Sequence, residues 1–407
     1  MSKSEIILKL SEEPRPKEIL LKLELKNIDL PVQYQITRDN NLILSGQLVT
    51  NDSIFKDSGL APSTQYTYQA FISQNGSIVS ASNILKANTM DTTSHNYVWT
   101  IDTIGSFGSS LFDVFAISEN DVWAVGEIDT GVYPPFNAVH WDGQQWELKR
   151  IYFYLCPNEN SPTSYPIQAI FAFSENSIWF TRGASFVHWD GNEFIHDCSM
   201  NSMIDGSIQK MWGKGPQDLY AVGYYGTIIH YNGSNWDKLE SGTQLRLTDI
   251  WGLSGNDIYA VGADMSSLDN AVLHYDGISW KQLPTDQNRK VAVWGTSPSN
   301  MYFAGDGVYH YNDGNYKSIH WPVTFLKIFS DAIRGTAPNN IFVCGSLYMI
   351  MHFNGINWHP YEQLIDFSGG RLIALAVINT DVFAVGYGSD QRARIFHGRR
   401  IDHWVEP

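Results

Sequence analysis

The sequence predicts an all-β chain, a small antiparallel sandwich followed by a ring of repeated four-stranded sheets. Three observations carry that expectation. The chain holds 14 Trp, 21 Tyr and 20 Phe with 33 Gly, and aromatic runs broken by glycine favour strands joined by tight turns. An Asp-x-x-Ala-Val-Gly element and its variants return about every 40 residues from Trp99 onward, a period that marks repeat architectures. The first 92 residues contain no Trp and alternate apolar with polar positions instead.

Composition bounds the function classes. At 407 residues, 43% hydrophobic and 17% charged, the chain is globular and large enough for two or three domains. A net charge of -15 argues against nucleic acid or an anionic membrane as partner, because both reward clustered Lys and Arg. No apolar run approaches the roughly 20 residues of a membrane-spanning helix, and the start MSKSEIILKLSEEPRPKEIL lacks a signal-peptide core. Read literally, the chain is soluble and cytosolic, unless an export signal has been removed. Three cysteines make no disulfide framework and show no metal spacing. Cys344 is expected as a buried thiol, whereas Cys156 and Cys198, flanking one repeat, could be brought together if the long segment between repeats folds back.

Residues 1–92 form the first predicted domain. The runs EILLKLELKN, PVQYQITR, LILSGQLV and YTYQAFIS, separated by RDNN, APST and QNGS, read as strands of an antiparallel sandwich. Leu60, Pro62, Thr64, Tyr66 and Tyr68 resemble the E–F corner of a fibronectin type III domain, where a tyrosine hydroxyl ties its strand to the upstream loop. A spacer or docking role is expected of this domain. Residues 87–96 are then a short polar linker.

Residues 96–407 form the second. The last residues of the repeated elements are Gly126, Arg182, Gly223, Gly262, Gly305, Gly345 and Gly386. Within each unit four strand signals follow one another, as in LTDIWG (strand a), DIYAVG (b), AVLHYDG (c) and SWKQL (d). Seven such units predict a seven-bladed β-propeller. Inner strands are packed on both faces, so continuous apolar runs such as AVG are expected there. The last unit departs from the pattern: Gly398 to Trp404 is longer than Gly277 to Trp280. NYVWTIDTIG, residues 96–105, looks like a spare strand d and is predicted to pack on the seventh blade.

With the repeat in hand, WGxxxxDxYAVGxxGxIxHYxGxxW, best preserved from Met211 to Trp236, resembles the propellers of exported bacterial repeat proteins. TMDTTSHNYVW resembles their linker after a fibronectin-like module. The Asp-Gly-x-x-Trp turn is similar to the Asp-box of sialidase-type propellers with one residue fewer. The resemblance implies fold and export, hence an extracellular or cell-surface location with the signal removed, and assigns no activity.

Six histidines, His140, His188, His230, His274, His310 and His352, recur at one strand-c position. Equivalent positions on separate blades lie on a circle too wide for one metal ion, so each imidazole is expected to bond backbone or side-chain groups between sheets. Asp142, Asp190, Asn232, Asp276 and Asn354 are expected to cap c-to-d turns packed by Trp146, Trp236, Trp280 and Trp358.

What recurs builds the blade, so function is sought where blades differ. Arg334 replaces the strand-a tryptophans Trp212, Trp251 and Trp294, and Arg182 replaces a glycine. Arg334 is either a carboxylate receptor in the central channel or paired with an acid of a neighbouring blade. The insertions EIDTGVYPPF, RIYFYLCPNENSPTSYP and ADMSSLDN fall in b-to-c or d-to-a connections, which emerge on one face. They bring Tyr133, Phe136, Tyr152, Tyr154 and Tyr165 beside Tyr224 and Tyr225, aromatics suited to sugar stacking or protein anchoring, or else to packing the inserts. No GxSxG, HExxH, phosphate loop or quinone-cofactor signature appears, and no cofactor or metal is expected. The leading expectation is a non-catalytic binding or adhesion protein recognising a glycan or protein on that face. A self-contacting surface component and a glycan-active hydrolase, which needs two spaced carboxylates, are the alternatives.

Overall fold

The computed structural model describes residues 4–74, 76–154, 162–312, 314–319 and 328–401. Apart from three short 3-10 turns, every regular element in these residues is a strand. The chain divides into two units. One comprises Met1–Ser94 with Pro338–Asn340 and Phe353–Asn357, and the other His95–Ala337, Ile341–His352 and Trp358–Pro407.

In the first unit, Glu5–Leu10, Glu18–Lys26 and Asp52–Ser58 make a three-stranded sheet. Asn41–Leu48, Val32–Arg38, Gln65–Gln74, Ser77–Ala81 and Leu85–Asn88 make a five-stranded one. Strand Glu18–Lys26 shows why the sequence folds this way: Ile19, Leu21, Leu23 and Leu25 are buried while the residues between them are not, the period-2 pattern of a half-buried strand. These leucines pack with Val32, Ile36, Leu60, Tyr68 and Ile72 in one core. The hydroxyl of Tyr66 accepts the Ala61 N–H at 3.0 Å, tying its strand to the upstream loop. Buried Tyr68 donates to Asp57 at 2.8 Å, and Asp57 also receives Arg38 at 2.9 Å.

The second unit contains seven four-stranded antiparallel sheets among the described residues. Their first strands are Ser110–Ser118, Ala169–Ser174, Ile208–Gly215, Leu247–Ser254, Lys290–Ser297, Ser330–Ala337 and Gly370–Ile378. Each of these contacts the next, and the seventh contacts the first. The ring is therefore closed, with strand a innermost in every sheet. The middle strands are buried on both faces, as in Asp218–Gly223, where all residues after the first are buried.

The seventh sheet has the order a, b, c and then Tyr97–Ile104. The predicted spare strand thus supplies the outer edge, pairing Tyr97 with Arg400 and Ile104 with Ala393. The departure of the last unit from the pattern has this cause: its outer strand comes from the start of the ring. Strand Ala393–Arg400 runs straight through Gly398, and Trp404 lies outside the described residues. Trp99 sits opposite Gly398, as Trp236 sits opposite Tyr231 in the third sheet. A Cβ on Gly398 would stand 2.7 Å from the Trp99 ring. Glycine there is the space that admits the closing tryptophan.

Candidate functional site

The recurring histidines are blade-building parts. Five of the six bond within their own sheet and not between sheets as expected, because strand c pairs directly with the start of strand b. His140, His230 and His274 bond the first residue of strand b, Asp121, Asp218 and Asp257, at 2.7 to 2.8 Å. Ser177 serves His188 at 3.1 Å and Asn300 serves His310 at 3.1 Å. Each ring lies against the aromatic side chain two positions further on, with Trp123, Trp179, Tyr220 and Tyr259 stacked at 4.2 to 4.5 Å and Tyr302 tilted at 4.8 Å. A seventh member, His397, bonds Asp381 at 2.5 Å and stacks on Phe383. The pattern Asp-x-aromatic in strand b was the signal that marks it. His352 differs: it stacks on Phe342 at 4.4 Å and shares a 2.8 Å Nδ1–Nδ1 bond with His95. Burial, with help from His95, lowers its pKa to about 2, so it stays neutral. Among the described residues no cluster could hold a metal ion. Asp142, Asp190, Asn232, Asp276 and Asn354 cap their turns, each accepting two backbone N–H groups at 2.8 to 3.1 Å.

Among the described residues, the inner strands line two cavities. One, about 510 Å³, is lined by the starts of the inner strands and by the b-to-c side of the sheets, including Tyr224, Arg246, Met265, Phe329 and Arg371. The other, about 250 Å³, lies toward the opposite ends of the inner strands and is mostly apolar, with Phe115, Phe171, Trp212 and Trp251. Lys210 and Arg334 line both. They form a partition. Arg334 is bidentate to Asp249 at 2.7 and 2.9 Å and donates to the carbonyls of Ile333 and Val293, while Lys210 pairs with buried Asp113. Burial opposes the charge on Arg334, but Asp249 more than restores it, so the guanidinium stays ionised. The two acids also accept backbone N–H groups of the following inner strand, Ile170 at 3.1 Å and Val293 at 2.9 Å.

Of the two arrangements expected for Arg334, the structure shows the pairing. The acid, however, is two sheets away and not in a neighbouring blade as expected, since inner strands of non-adjacent sheets meet across the channel. Asp113, Lys210 and Asp249 were missed, although each interrupts an apolar inner-strand run (LFDVF, IQKMW, LTDIW).

Arg182 is explained by register. In sheets such as the third, strand a bulges between Ile208 and Lys210 opposite Gly223, and a Cβ on Gly223 would stand 2.3 Å from the Ser207 carbonyl oxygen. The second sheet shows no shift at that end, and Arg182 is paired only outward, with Ser185. Its guanidinium lies over the Tyr165 ring at 3.8 Å.

The remaining candidate residues divide into two sets. Phe136, Tyr165 and Tyr224 are partly buried and serve as platforms for arginines, Arg150 lying over Phe136 at 3.6 Å and Arg246 over Tyr224 at 4.9 Å. Tyr154 packs edge-on against His196 at 4.4 Å. Tyr133, Tyr152 and Tyr225 are exposed, Tyr133 to 88%. Beyond these, Phe107, Val132, Met265, Leu268 and Phe367 are also exposed, and all eight lie in b-to-c or d-to-a connections. Among the described residues the opposite connections expose only Ile278 and Ile356 of this class. Cys198 is disulfide-bonded and Cys344 is a buried free thiol. Cys156 lies outside the described residues.

No protein-family model and no curated protein sequence matches the chain. Solved structures do. A structure described as YCF48 bound to D1 peptide is 16% identical, with a TM-score of 0.55 over 75% of this chain and 95% of that one. The WD40 beta propeller domain of Doa1 is 13% identical, with a TM-score of 0.51 over 72% and 95%. The RRP9 WD40 repeats are 10% identical, with a TM-score of 0.52 over 76% and 99%. At such identities the likeness speaks for the fold alone, and that fold is the β-propeller.

Proposed function

We propose that the chain is a non-catalytic binding protein whose seven sheets are the blades of a propeller and whose ligand, a protein, docks on the face of the b-to-c and d-to-a connections. The observation that carries this reading is the gathering of eight exposed apolar side chains on one face, the same face onto which the 510 Å³ cavity opens. Exposed apolar patches on an otherwise well-buried scaffold mark interaction surfaces. Structures similar in fold include one described as bound to a peptide. A hydrolase is the weaker reading, since Asp249 and Asp331 at the cavity are each held by an arginine and provide no pair of free carboxylates.

Residues 1–92 are read as a fibronectin type III-like spacer or docking module, supported by the Tyr66 bond to Ala61. An extracytoplasmic location is part of the proposal, supported by the disulfide at Cys198, since such bonds persist in oxidising compartments. Cys156 is the proposed partner of Cys198. Peptide mapping without reductant should recover the two cysteines in one linked fragment.

The binding face is tested with a displayed peptide library and a glycan array, comparing the wild-type chain with a Tyr133→Ala/Tyr152→Ala/Tyr225→Ala variant. Selected peptides should be lost by the variant at unchanged melting temperature. Retention of every peptide by the variant would reject the face. Glycans selected in place of peptides would assign the face to sugars.

A further inference from the structure

We propose that the loop face takes an acidic linear peptide, its carboxylates held by Arg150, Arg182 and Arg246 and its apolar side chains by the exposed tyrosines beside them. This deepens the binding reading above and rests on it. The three arginines lie at the end of the first sheet, in the second sheet and before the fourth, each at the b-to-c and d-to-a side. Each guanidinium is laid on an aromatic ring, at 3.6, 3.8 and 4.9 Å from the centroid. Stacking restrains the fork while leaving its in-plane N–H groups to a partner. Arg150 spends its Nε on the Pro134 carbonyl at 2.8 Å, and Arg246 spends one N–H on Gln209.

The other described arginines that stack at this face are neutralised: Arg289 is paired with Asp306 and Arg371 with Asp331. Among the described residues, Arg150, Arg182 and Arg246 have no carboxylate within 4.0 Å. The chain carries 42 Asp and Glu against 27 Lys and Arg, so acids to pair with them are abundant in it. Three preorganised, uncompensated guanidiniums on one rim of an acidic chain are complementary to carboxylates.

Exposed tyrosines share the connections that carry the aromatic seats of these cations. Tyr133 belongs to the connection that presents Phe136, Tyr152 to the segment that leads to Tyr165, and Tyr225 adjoins Tyr224 with ring centroids 6.2 Å apart. The further exposed side chains Met265 and Leu268 offer apolar surface with no flat ring for a sugar to stack on, which suits a peptide's apolar residues better. A peptide alternating Glu or Asp with Leu or Phe therefore fits better than an acidic glycan.

The test is fluorescence anisotropy on the full chain with a labelled peptide alternating Glu and Phe, its Gln counterpart and its Lys counterpart, with polygalacturonate as competitor. The Glu peptide should bind about tenfold or more tighter than the Gln peptide, each lost charged contact weighing that much, and should weaken with salt. R150Q/R182Q/R246Q should abolish that preference, and R150K/R182K/R246K should restore only part of it, because lysine keeps charge without the fork. Equal binding of the Glu and Gln peptides, or an unchanged preference in the Gln triple variant of native melting temperature, overturns the proposal. Tighter binding of polygalacturonate overturns it in favour of a glycan. If library-selected peptides still require the three tyrosines while the Glu preference is absent, this inference fails and the binding face survives.

Discussion

At the scale of single residues, the channel partition and the buried imidazole make two expectations that can be measured. Arg334 and Asp249 are each largely removed from water, and breaking such a pair strands the survivor. Arg334→Met should cost about 3–5 kcal/mol in chemical denaturation. Adding Asp249→Leu should recover part of that loss, although Asp249 also accepts the Val293 N–H, so recovery is incomplete. A double variant no better than Arg334→Met would show that the Asp249 bond to the backbone, and not the ion pair, is what matters. His352 gives the pH dependence. Its folded pKa, about 2, lies below the ordinary value near 6.5, so below pH ~6.5 the unfolded chain binds a proton that the folded chain refuses. The stability it contributes is present above that pH and is lost progressively as pH falls toward 2. His352→Gln should flatten the stability-versus-pH curve by about 1.4 kcal/mol per unit between roughly pH 5.5 and 4. An unchanged slope would place the acid sensitivity elsewhere.

At the scale of the element, the strand-b glycine and the strand-a bulge are one device. The bulge pushes a strand-a carbonyl against the glycine, which leaves no room for a Cβ. Gly223→Ala should therefore destabilise by about 1–3 kcal/mol, the range for overpacking, although glycine-to-alanine within a strand ordinarily helps. The same position in the second sheet should tolerate the reverse change: Arg182→Gly is expected to shift stability by no more than ~1 kcal/mol. Thermal denaturation of the two variants side by side checks this. Similar losses at both positions would mean that the register difference does not explain the arginine. The sequence showed that Arg182 was the odd member of its set, but the reason was a missing bulge, which no residue code spells out.

At the scale of the whole second unit, closure depends on Tyr97–Ile104 reaching across to Ala393–Arg400, strands nearly 300 positions apart in sequence. A chain beginning at residue 95 should keep the cooperative unfolding of the ring, because the closing strand is present. One beginning at residue 106 leaves the edge of strand c unpaired and uncovers Phe396 of the adjoining core. It should unfold less cooperatively and bind the dye ANS. Cooperative unfolding of both chains with equal midpoints would show that the seventh sheet does not hold the ring. Unpaired edges also invite association, so light scattering of the shorter chain offers a second readout.

The sequence by itself determined the repeat, the strand order within each unit, the turn caps and the strand that closes the seventh sheet. Apart from the closing strand, which was legible as a strand signal left over before the first unit, those features are local: a turn needs its own Asp or Asn, a strand needs its own alternation, and a period of about 40 residues counts the units. It also marked the residues at which one unit differs from the rest, Arg182 and Arg334 among them. Only the tertiary structure decided what those differences do. Arg334 meets Asp249 because a ring sets inner strands of non-adjacent sheets face to face, and Lys210 meets Asp113 for the same reason. Phe136, Tyr165 and Tyr224 became seats for arginines while Tyr133, Tyr152 and Tyr225 stayed in solvent, though all six were indistinguishable as aromatics in polar loops. Partnership across space depends on the closed ring and not on spacing along the chain, so it could not be read one residue at a time.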